Sequence, residues 1–309
     1  MVEGEHLSEE AKELLKLSDY DRFKSLEKDI WVEYPVAERI LSRMRELYYH
    51  ARCNRMPNLL IIGPTNNGKS MIKEKFYKIY NRPFYENHIN LHGEHICYKE
   101  LIEQPLISIQ MPSNPNIRRF LIIIGEKIGQ NYQLTNRNAI EEELFPALIK
   151  LKVRMIIIDE VHNILAGSTK QQLEFLNTLR YIGNELKVPI VCLGTRDAYL
   201  ALRTDPQLEN RFEPCILPLW QNNREFMSLL ESFITIIPLR KHSNLICSKI
   251  ASFILKKSEG IIGEISAILR NAARKAIESG REQIDLEILE ELDYKSPGER
   301  RLIFEKALL

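Results

Sequence analysis

The octapeptide GPTNNGKS at residues 63–70 constrains the fold of this chain more than any other feature. It follows the apolar run NLLII at 58–62 and matches the pattern G-x-x-x-x-G-K-[ST] in the strand-to-helix context of a phosphate-binding loop. Glycines let backbone N–H groups turn toward a triphosphate, Lys69 reaches the terminal phosphates, and the Ser70 hydroxyl is placed to bind Mg²⁺. The sequence therefore predicts a nucleotide site whose contact residues are Gly63, Pro64, Thr65, Asn66, Asn67, Gly68, Lys69, Ser70 and Met71.

A second motif, MIIIDE at 155–160, is typical of a buried parallel strand that ends in two carboxylates. Such a pair often serves only to solvate the end of a strand. Here the distance along the chain from the phosphate-binding loop and the preceding apolar residues favour a Walker B motif. Asp159 is then predicted to hold Mg²⁺ through water or Ser70, and Glu160 to polarise the water that attacks the γ-phosphate.

Composition narrows the class of protein. The chain has 309 residues, which suggests one large domain with appended pieces. Its 43 Lys and Arg nearly cancel its 42 Asp and Glu, so any nucleic-acid contact must come from a local patch. The five cysteines lie far apart, and no long apolar stretch suggests a membrane span, so we expect a cytoplasmic protein in a reducing compartment.

Apolar periodicity predicts strands that alternate with helices, followed by helices alone beyond Trp220. The predicted strands are 58–62, 105–111, 155–159, 188–193 and 214–219. Alternation of this kind indicates an α/β fold with a doubly wound, parallel, five-stranded sheet and a C-terminal helical lid. The predicted domains are an N-terminal helical adaptor at 1–35, a nucleotide-binding domain at 36–236 with an insertion at 81–104, a lid at 237–295 and a tail at 296–309.

Three segments leave alternatives open. Trp31 and Tyr34 precede the first long helix and would either cover an adenine ring or pack beneath that helix. The insertion at 81–104 is predicted to be irregular, and its potential zinc ligands fit no standard spacing; they are His88, His92, His95 and Cys97. The tail carries apolar residues at helical spacing, which suits a partner groove and packing on the lid equally.

Five stretches taken together resemble the AAA+ ATPases, and specifically the TniB family of transposition helper proteins, whose relatives include TnsC and the phage Mu B protein. They are RMPNLLIIGPTNNGKS at 55–70, MIIIDEVHNILAGS at 155–168, VPIVCLGTRDAYLAL at 188–202, TDPQLENRFEP at 204–214 and SEGIIGEISAILRNAARKAI at 258–277. The resemblance covers most of the chain. It implies ATP and Mg²⁺ as ligands and ATP hydrolysis as the activity.

The resemblance also implies roles for individual residues. Thr195 stands at the sensor 1 position, where it would bond the lytic water, although it could equally cap the helix that follows. Arg211 matches the arginine finger that AAA+ proteins insert into the neighbouring subunit's site, with Arg203 as the second candidate and a surface ion pair as the alternative. The G-[DE] pair at 263–264 lacks the usual sensor 2 arginine, for which Arg270 could substitute. Slow turnover is therefore expected.

The implied function is ATP-dependent regulation of DNA transposition. Such a protein would form a ring or helical filament on duplex DNA and recruit or activate a DDE-type transposase, with a TniQ-like targeting protein as a further partner. Nonspecific contacts with the DNA backbone are expected from Arg118, Arg119, Thr135 and Arg137. Arg118 and Arg119 could otherwise be a solvated first helical turn. The competing functions are a replication initiator or helicase loader, a nucleotide-gated switch without DNA, and a metabolic kinase.

Overall fold

The computed structural model describes residues 3–89, 96–132, 136–203 and 205–308, with the side chains of 85–89, 96–102 and Pro206 left aside. The strands are β1 (Asn58–Ile62), β2 (Phe84–Ile89), β3 (Ile96–Glu103), β4 (Leu106–Gln110), β5 (Met155–Asp159), β6 (Ile190–Gly194) and β7 (Phe212–Ile216). The helices are α1 (Glu9–Leu15), α2 (Asp19–Leu26), α3 (Pro35–Tyr48), α4 (Lys69–Tyr80), α5 (Ile117–Glu126), α6 (Arg137–Lys150), α7 (Thr169–Leu186), α8 (Arg196–Leu202), α9 (Pro206–Glu209), α10 (Arg224–Ile236), α11 (Ser248–Ser258), α12 (Ile262–Glu278), α13 (Leu286–Glu290) and α14 (Pro297–Ala307). A 3₁₀ helix covers Val161–Ala166.

The chain divides into two compact units. The helical unit consists of Met1–Glu38, Asn66–Gly68 and Pro218–Leu309. The α/β unit consists of Arg39–Thr65 and Lys69–Leu217. The helical unit thus takes up the chain from Pro218, ahead of the lid boundary predicted at 237, and it includes the tip of the phosphate-binding loop.

A five-stranded parallel sheet in the order β4-β5-β6-β1-β7 organises the α/β unit. The residues of β1 and β5 are almost entirely apolar and buried, as expected for parallel strands whose two faces are both covered. In the register, Ile62 pairs with Gly194 and Ile158 with Cys192. The carboxyl ends of β1, β5 and β6 therefore lie side by side, which brings together the start of the phosphate-binding loop, the Walker B carboxylates and Thr195.

Helices α5, α6 and α7 supply much of the apolar core of this unit. Phe120 and Phe175 are both fully buried and meet edge to face, with 4.8 Å between their ring centroids. Asn116 caps α5 by accepting a hydrogen bond from the N–H of Arg119. The first turn of this helix, which carries two of the predicted DNA contacts, is therefore held by a cap and by a packed core beneath it.

The described residues of the insertion at 81–104 form two strands, which the expected irregular structure did not include. Strands β2 and β3 form an antiparallel two-stranded sheet with register shifts near both ends. The polar, histidine-rich sequence of this segment shows no clear strand pattern, so these two strands could not be predicted from it. His92 and His95 lie outside the described residues, as do the side chains of His88 and Cys97. Within the part that is described, no three His, Cys, Asp or Glu side chains cluster so that they could hold a metal ion.

The N-terminal segment is built into the helical unit through a buried arginine. Arg22 in α2 has no exposed side-chain surface and donates to the carboxylate of Glu282 at 2.6 Å and to the carbonyl of Pro238 at 2.7 Å. Because a guanidinium that is removed from water needs such partners, this ion pair ties α2 to the chain between α10 and α13. The predicted adaptor is thus an integral part of its unit.

The tail forms α14, which begins with a capping box at Ser296 and Glu299. It buries none of its residues, and its apolar side chains are exposed at Leu302, Ile303, Phe304 and Leu308. The structure therefore does not show extensive packing of the tail on the lid, which was one of the two alternatives for this segment. Among the described helices, none is long and apolar enough to cross a membrane.

Candidate nucleotide site

The phosphate-binding loop connects β1 to α4, which begins at Lys69. Asn66 and Gly68 both have positive φ, at 61° and 85°. Glycine adopts this conformation without strain, and asparagine is among the side chains that tolerate it best. Gly63 at the start of the loop donates its N–H to the carbonyl of Gly194 at 3.2 Å. This bond joins the loop to the end of β6.

Lys69 is the buried cation of the loop, with only 5% of its surface exposed. Its ammonium donates to the carbonyls of Gly63 at 2.8 Å and Pro64 at 2.7 Å. Burial lowers the pKa of Lys69, and the nearby carboxylates of Glu160 and Asp159 oppose that shift. An ammonium has three donors, so one remains for a phosphate oxygen while the loop carbonyls orient the other two.

Asp159 is buried and joins three groups of the site. Its Oδ2 accepts from the Ser70 hydroxyl at 3.1 Å and from the Lys73 ammonium at 2.9 Å, while its Oδ1 accepts from the N–H of Glu160 at 2.9 Å. A hydroxyl beside a carboxylate is the oxygen donor set that suits Mg²⁺ in phosphate-loop proteins, so the residues fit that ion. Lys73 was not predicted from the sequence. Its position one helical turn after Ser70 was the available signal, because residues three apart share a helix face.

Glu160 follows β5 in a left-handed conformation, with φ 56° and ψ 37°. A non-glycine residue in this region is strained by about 1–3 kcal/mol, and such strain concentrates at functional positions. Its carboxylate lies 3.2 Å from Nε2 of His162, and the Nδ1 atom of that ring is buried without a hydrogen-bond partner among the described residues. The sequence prediction also missed His162, which therefore enters the site as a neighbour of the predicted catalytic base.

Thr195 sits at the N-cap position of α8, directly after β6. Its side chain makes no capping hydrogen bond, and its buried Oγ1 has no partner among the residues described. A buried hydroxyl without a partner is costly, and in native proteins it calls for a specific explanation. The capping alternative for Thr195 is thus not realised by its side chain. Its role as a sensor stays a prediction, to which the unused hydroxyl adds support.

Arg211 and Arg203, the two arginine finger candidates, have different surroundings. Arg203 forms an ion pair with Glu209 at 3.1 Å and lies over the ring of Tyr199. Arg211 instead donates to the amide oxygen of Asn184 at 2.7 Å, and its Nε is buried without a described partner.

Burial lowers the pKa of Arg211, as do the neighbouring cations Arg55 and Arg180, while Asp205 opposes the shift in part. The positive charge around Arg211 is therefore only partly balanced, and a negatively charged ligand would stabilise it. That environment favours Arg211 over Arg203 as the arginine finger.

Tyr34 is buried in the helical unit, where its ring meets Trp220 edge to face at 5.3 Å. Burial raises the pKa of Tyr34 to about 12. A side chain added at Gly68 would approach the Tyr34 hydroxyl within 3.2 Å, so this tyrosine packs on the tip of the phosphate-binding loop. Tyr34 thus packs within its unit, and an adenine contact from this residue stays a prediction. An adenine contact from Trp31, which is half-buried, stays a prediction.

Arg270, the proposed substitute for a sensor 2 arginine, is remote from the start of α12. It lines a cavity of about 150 Å³ together with Phe23, Leu26 and Glu27 at the end of α2. At 1.5 Å rise per residue, the six steps from Glu264 to Arg270 span roughly 9 Å of helix. The structure thus places Arg270 beside the N-terminal helices rather than at the loop tip.

The predicted DNA contacts differ in how much they are engaged within the chain. Arg118 and Arg119 are exposed in the first turn of α5, and Arg119 forms a surface ion pair with Glu126 at 2.9 Å. Arg137 is half-buried and donates to Glu141 at 2.6 Å and to the hydroxyl of Thr178 at 3.2 Å. Thr135 lies outside the described residues. The turn at 118–119 is therefore the better candidate surface.

A model of the family described as "Bacterial TniB protein" matches residues 22–222, which is more than half of the chain. The chain belongs to the TniB family. The match begins within α2 at Arg22 and ends just after the sheet, so the matched span of this TniB protein includes every residue predicted for the nucleotide site. No curated protein matches the chain.

Solved structures similar to this TniB protein include origin recognition proteins. The Aeropyrum pernix ORC2 protein in ADPNP and ADP complexes is 17% identical over 85% of this chain and 69% of its own, with a TM-score of 0.54. The A. pernix ORC1 protein in complex with DNA is 17% identical over 94% and 68%, with a TM-score of 0.53. Drosophila ORC bound to DNA is 12% identical over 88% and 64%, with a TM-score of 0.59.

At these identities the structural likeness establishes the fold. The predicted AAA+ fold with its parallel five-stranded sheet is confirmed, and so is the predicted TniB family. Family, fold and the assembled Walker residues together make this protein an ATPase, as the sequence predicted.

Proposed function

We propose that this TniB protein is an ATP-dependent regulator of DNA transposition that assembles on duplex DNA and recruits or activates a DDE-type transposase. The TniB family match carries the proposal. Within the site, Asp159 and Ser70 would hold Mg²⁺, which would neutralise charge on the bound phosphates. Glu160 would orient the attacking water, and Thr195 would bond it from the end of β6.

ATP would control assembly because one nucleotide would contact two subunits. Arg211 would reach the phosphates held by the Lys69 of a neighbouring subunit, from a cluster in which the cations Arg55 and Arg180 are offset only in part by Asp205. A ligand that binds only the assembled form stabilises it by mass action, and its hydrolysis loosens the assembly. Hydrolysis by the isolated protein would then be slow, and duplex DNA or a partner would stimulate it.

DNA binding would come from phosphate contacts rather than from recognition of bases. Arg118 and Arg119 are exposed on one helical turn, where two cations would contact the backbone whatever the sequence. The DNA complexes of ORC1 and of Drosophila ORC, which share this fold, make the same kind of partner reasonable for this chain.

The test is assembly and partner capture by the full chain. Size-exclusion chromatography with light scattering would compare the protein alone, with a slowly hydrolysed ATP analogue, with duplex DNA, and with both. The proposal predicts large assemblies only when both ligands are present. It also predicts that these assemblies retain a DDE-type transposase. A protein that stays monomeric with both ligands, or assemblies that fail to retain the transposase, would contradict it.

The second candidate is a replication initiator or helicase loader, which the likeness to the ORC proteins favours. Such a protein would retain the replicative helicase rather than a transposase in the same capture experiment. A nucleotide-gated switch without a DNA role would show the same ATPase rate with and without duplex DNA.

A further inference from the structure

The Gly263–Glu264 pair, which resembles an incomplete sensor 2 motif, contacts the phosphate-binding loop directly. Gly263 donates its N–H to the carbonyl of Asn66 at 3.1 Å, and the Asn66 side-chain amide donates to Oε1 of Glu264 at 3.2 Å. A Cβ added at Gly263 would overlap the Asn66 amide group. The glycine is thus required for this close approach, and the glutamate accepts the hydrogen bond that the approach makes possible.

The contact falls on a loop residue whose backbone is left-handed. Asn66 has φ 61°, and the side chain of the next residue, Asn67, donates to the carbonyl of Pro218 at 3.0 Å. Asn67 also accepts from the N–H of Ile262 at 3.4 Å. A left-handed conformation persists when surrounding contacts hold it, and here the first turn of α12 supplies them. The loop tip is therefore held by this helix on both asparagines.

Glu264 also joins α12 to the C-terminal segment. Its Oε2 accepts from the Tyr294 hydroxyl at 2.5 Å and from the Arg300 guanidinium at 2.6 Å. Glu264 is 8% exposed, and burial together with the bond to Glu264 raises the pKa of Tyr294, so this phenol remains a donor. One buried carboxylate therefore accepts from the loop with one oxygen and from the tail with the other.

We propose that Glu264 is a positioning residue that holds the phosphate-binding loop in its nucleotide-binding conformation and makes that conformation depend on the seating of α14 through Arg300. Asn66 is the point of contact, and Gly263 provides the space for it. The apolar side chains of α14 are exposed. A change in the seating of this helix would act on the loop through the single carboxylate of Glu264, so an event at the tail would regulate the loop. The inference concerns nucleotide binding and stands apart from the proposed role in transposition.

The test is the binding of a fluorescent ATP analogue to the full chain without DNA, with turnover and melting temperature measured alongside. E264A removes the hydrogen bonds to the loop and to the tail, and we expect about a 10-fold higher Kd from the loss of one or two such bonds. KM should rise by a similar factor while kcat stays within about twofold, since Glu160 and Thr195 are untouched. E264Q keeps an oxygen that can accept from Asn66 and should recover most of the affinity.

A double-mutant cycle tests the link to the tail. R300A should raise the Kd by about threefold in the wild-type background and leave it unchanged in the E264A background, because Arg300 acts through that carboxylate. The matched control is R301A on the same helix, because Arg301 pairs weakly with Glu259 at 3.4 Å rather than with Glu264, and its Kd should equal that of the wild type. Equal effects of R300A in both backgrounds would overturn the link, as would the absence of any effect in the wild type.

A second cycle tests the loop contact without relying on charge. G263A should weaken analogue binding when Asn66 is present and have much less effect in an N66G background, where the three amide atoms nearest to the new methyl group are gone. Glycine also suits the positive φ at position 66, so N66G should fold. If G263A weakens binding equally in both backgrounds, or if E264A leaves the Kd at the wild-type value, Glu264 does not position the loop.

Discussion

Replacing Thr195 with valine separates a catalytic role of its hydroxyl from a structural one. The Oγ1 atom is buried and lacks a described partner, so valine of nearly equal volume removes a polar atom that the folded protein does not satisfy. An unsatisfied buried polar group costs about 1–3 kcal/mol. T195V should therefore keep or raise the free energy of unfolding, by up to about 1 kcal/mol once local relaxation is allowed for. In a domain of 150–250 residues that is a rise in Tm of about 2–4 °C.

The effect on catalysis should have the opposite sign. If the hydroxyl bonds the lytic water, its loss should lower kcat by about 10²-fold, with little change in the Kd for nucleotide. Differential scanning fluorimetry of the nucleotide-free protein and steady-state phosphate release measure the two quantities. The matched control is T178V, because that buried hydroxyl donates to the carbonyl of Glu174 at 2.8 Å and should cost about 1 kcal/mol of stability while basal kcat is kept. A T195V protein that is destabilised and hydrolyses ATP at the normal rate would refute the reasoning.

Two further variants test the magnesium site and the proposed DNA contacts. K73M removes the cation that donates to Asp159, so it should destabilise the nucleotide-free protein by about 3 kcal/mol and lower the Mg²⁺ concentration needed for half-maximal nucleotide binding. Titration of Mg²⁺ and thermal melts measure this, with the exposed K78M on the same helix as control; an unchanged Mg²⁺ midpoint would contradict it. The double variant R118A/R119A should weaken binding to duplexes of any sequence and flatten the dependence of log Kd on log salt by up to about 2 units. Fluorescence anisotropy at several salt concentrations checks this, and an unchanged slope would exclude both arginines.

The elements closest to the chemistry were predictable because their patterns are local. A phosphate-binding loop must follow a strand and begin a helix, and β1 and α4 lie where the motif predicts them. The Walker B strand ends at Asp159 as predicted, because four apolar residues before a carboxylate are typical of a buried parallel strand. Adjacent carboxyl ends in the sheet then bring Thr195 to the same edge.

The features that the sequence did not reveal depend on contacts between distant residues or on pairing without burial. The hairpin of β2 and β3 was missed because its polar residues show no core-facing alternation. No local pattern joins Arg22 to Glu282, or Asn66 to Glu264, which are 260 and 198 residues apart. In the sequence, Gly263 and Glu264 drew attention only because the usual sensor 2 arginine is missing after them. In the structure, both residues contact the loop themselves.

Complementation between two inactive variants tests the shared nucleotide site most directly. E160Q should bind ATP and assemble without hydrolysing it, and it still carries Arg211; R211A keeps an intact Walker site but lacks the arginine for its neighbour. Each variant alone should turn over ATP at least about 10³-fold more slowly than the wild type, within the range known for arginine fingers. Mixed on duplex DNA, they should recover a substantial share of wild-type turnover, because E160Q supplies its arginine to the R211A site. A mixture no more active than the separate proteins, or R211A that hydrolyses ATP normally by itself, would contradict the account.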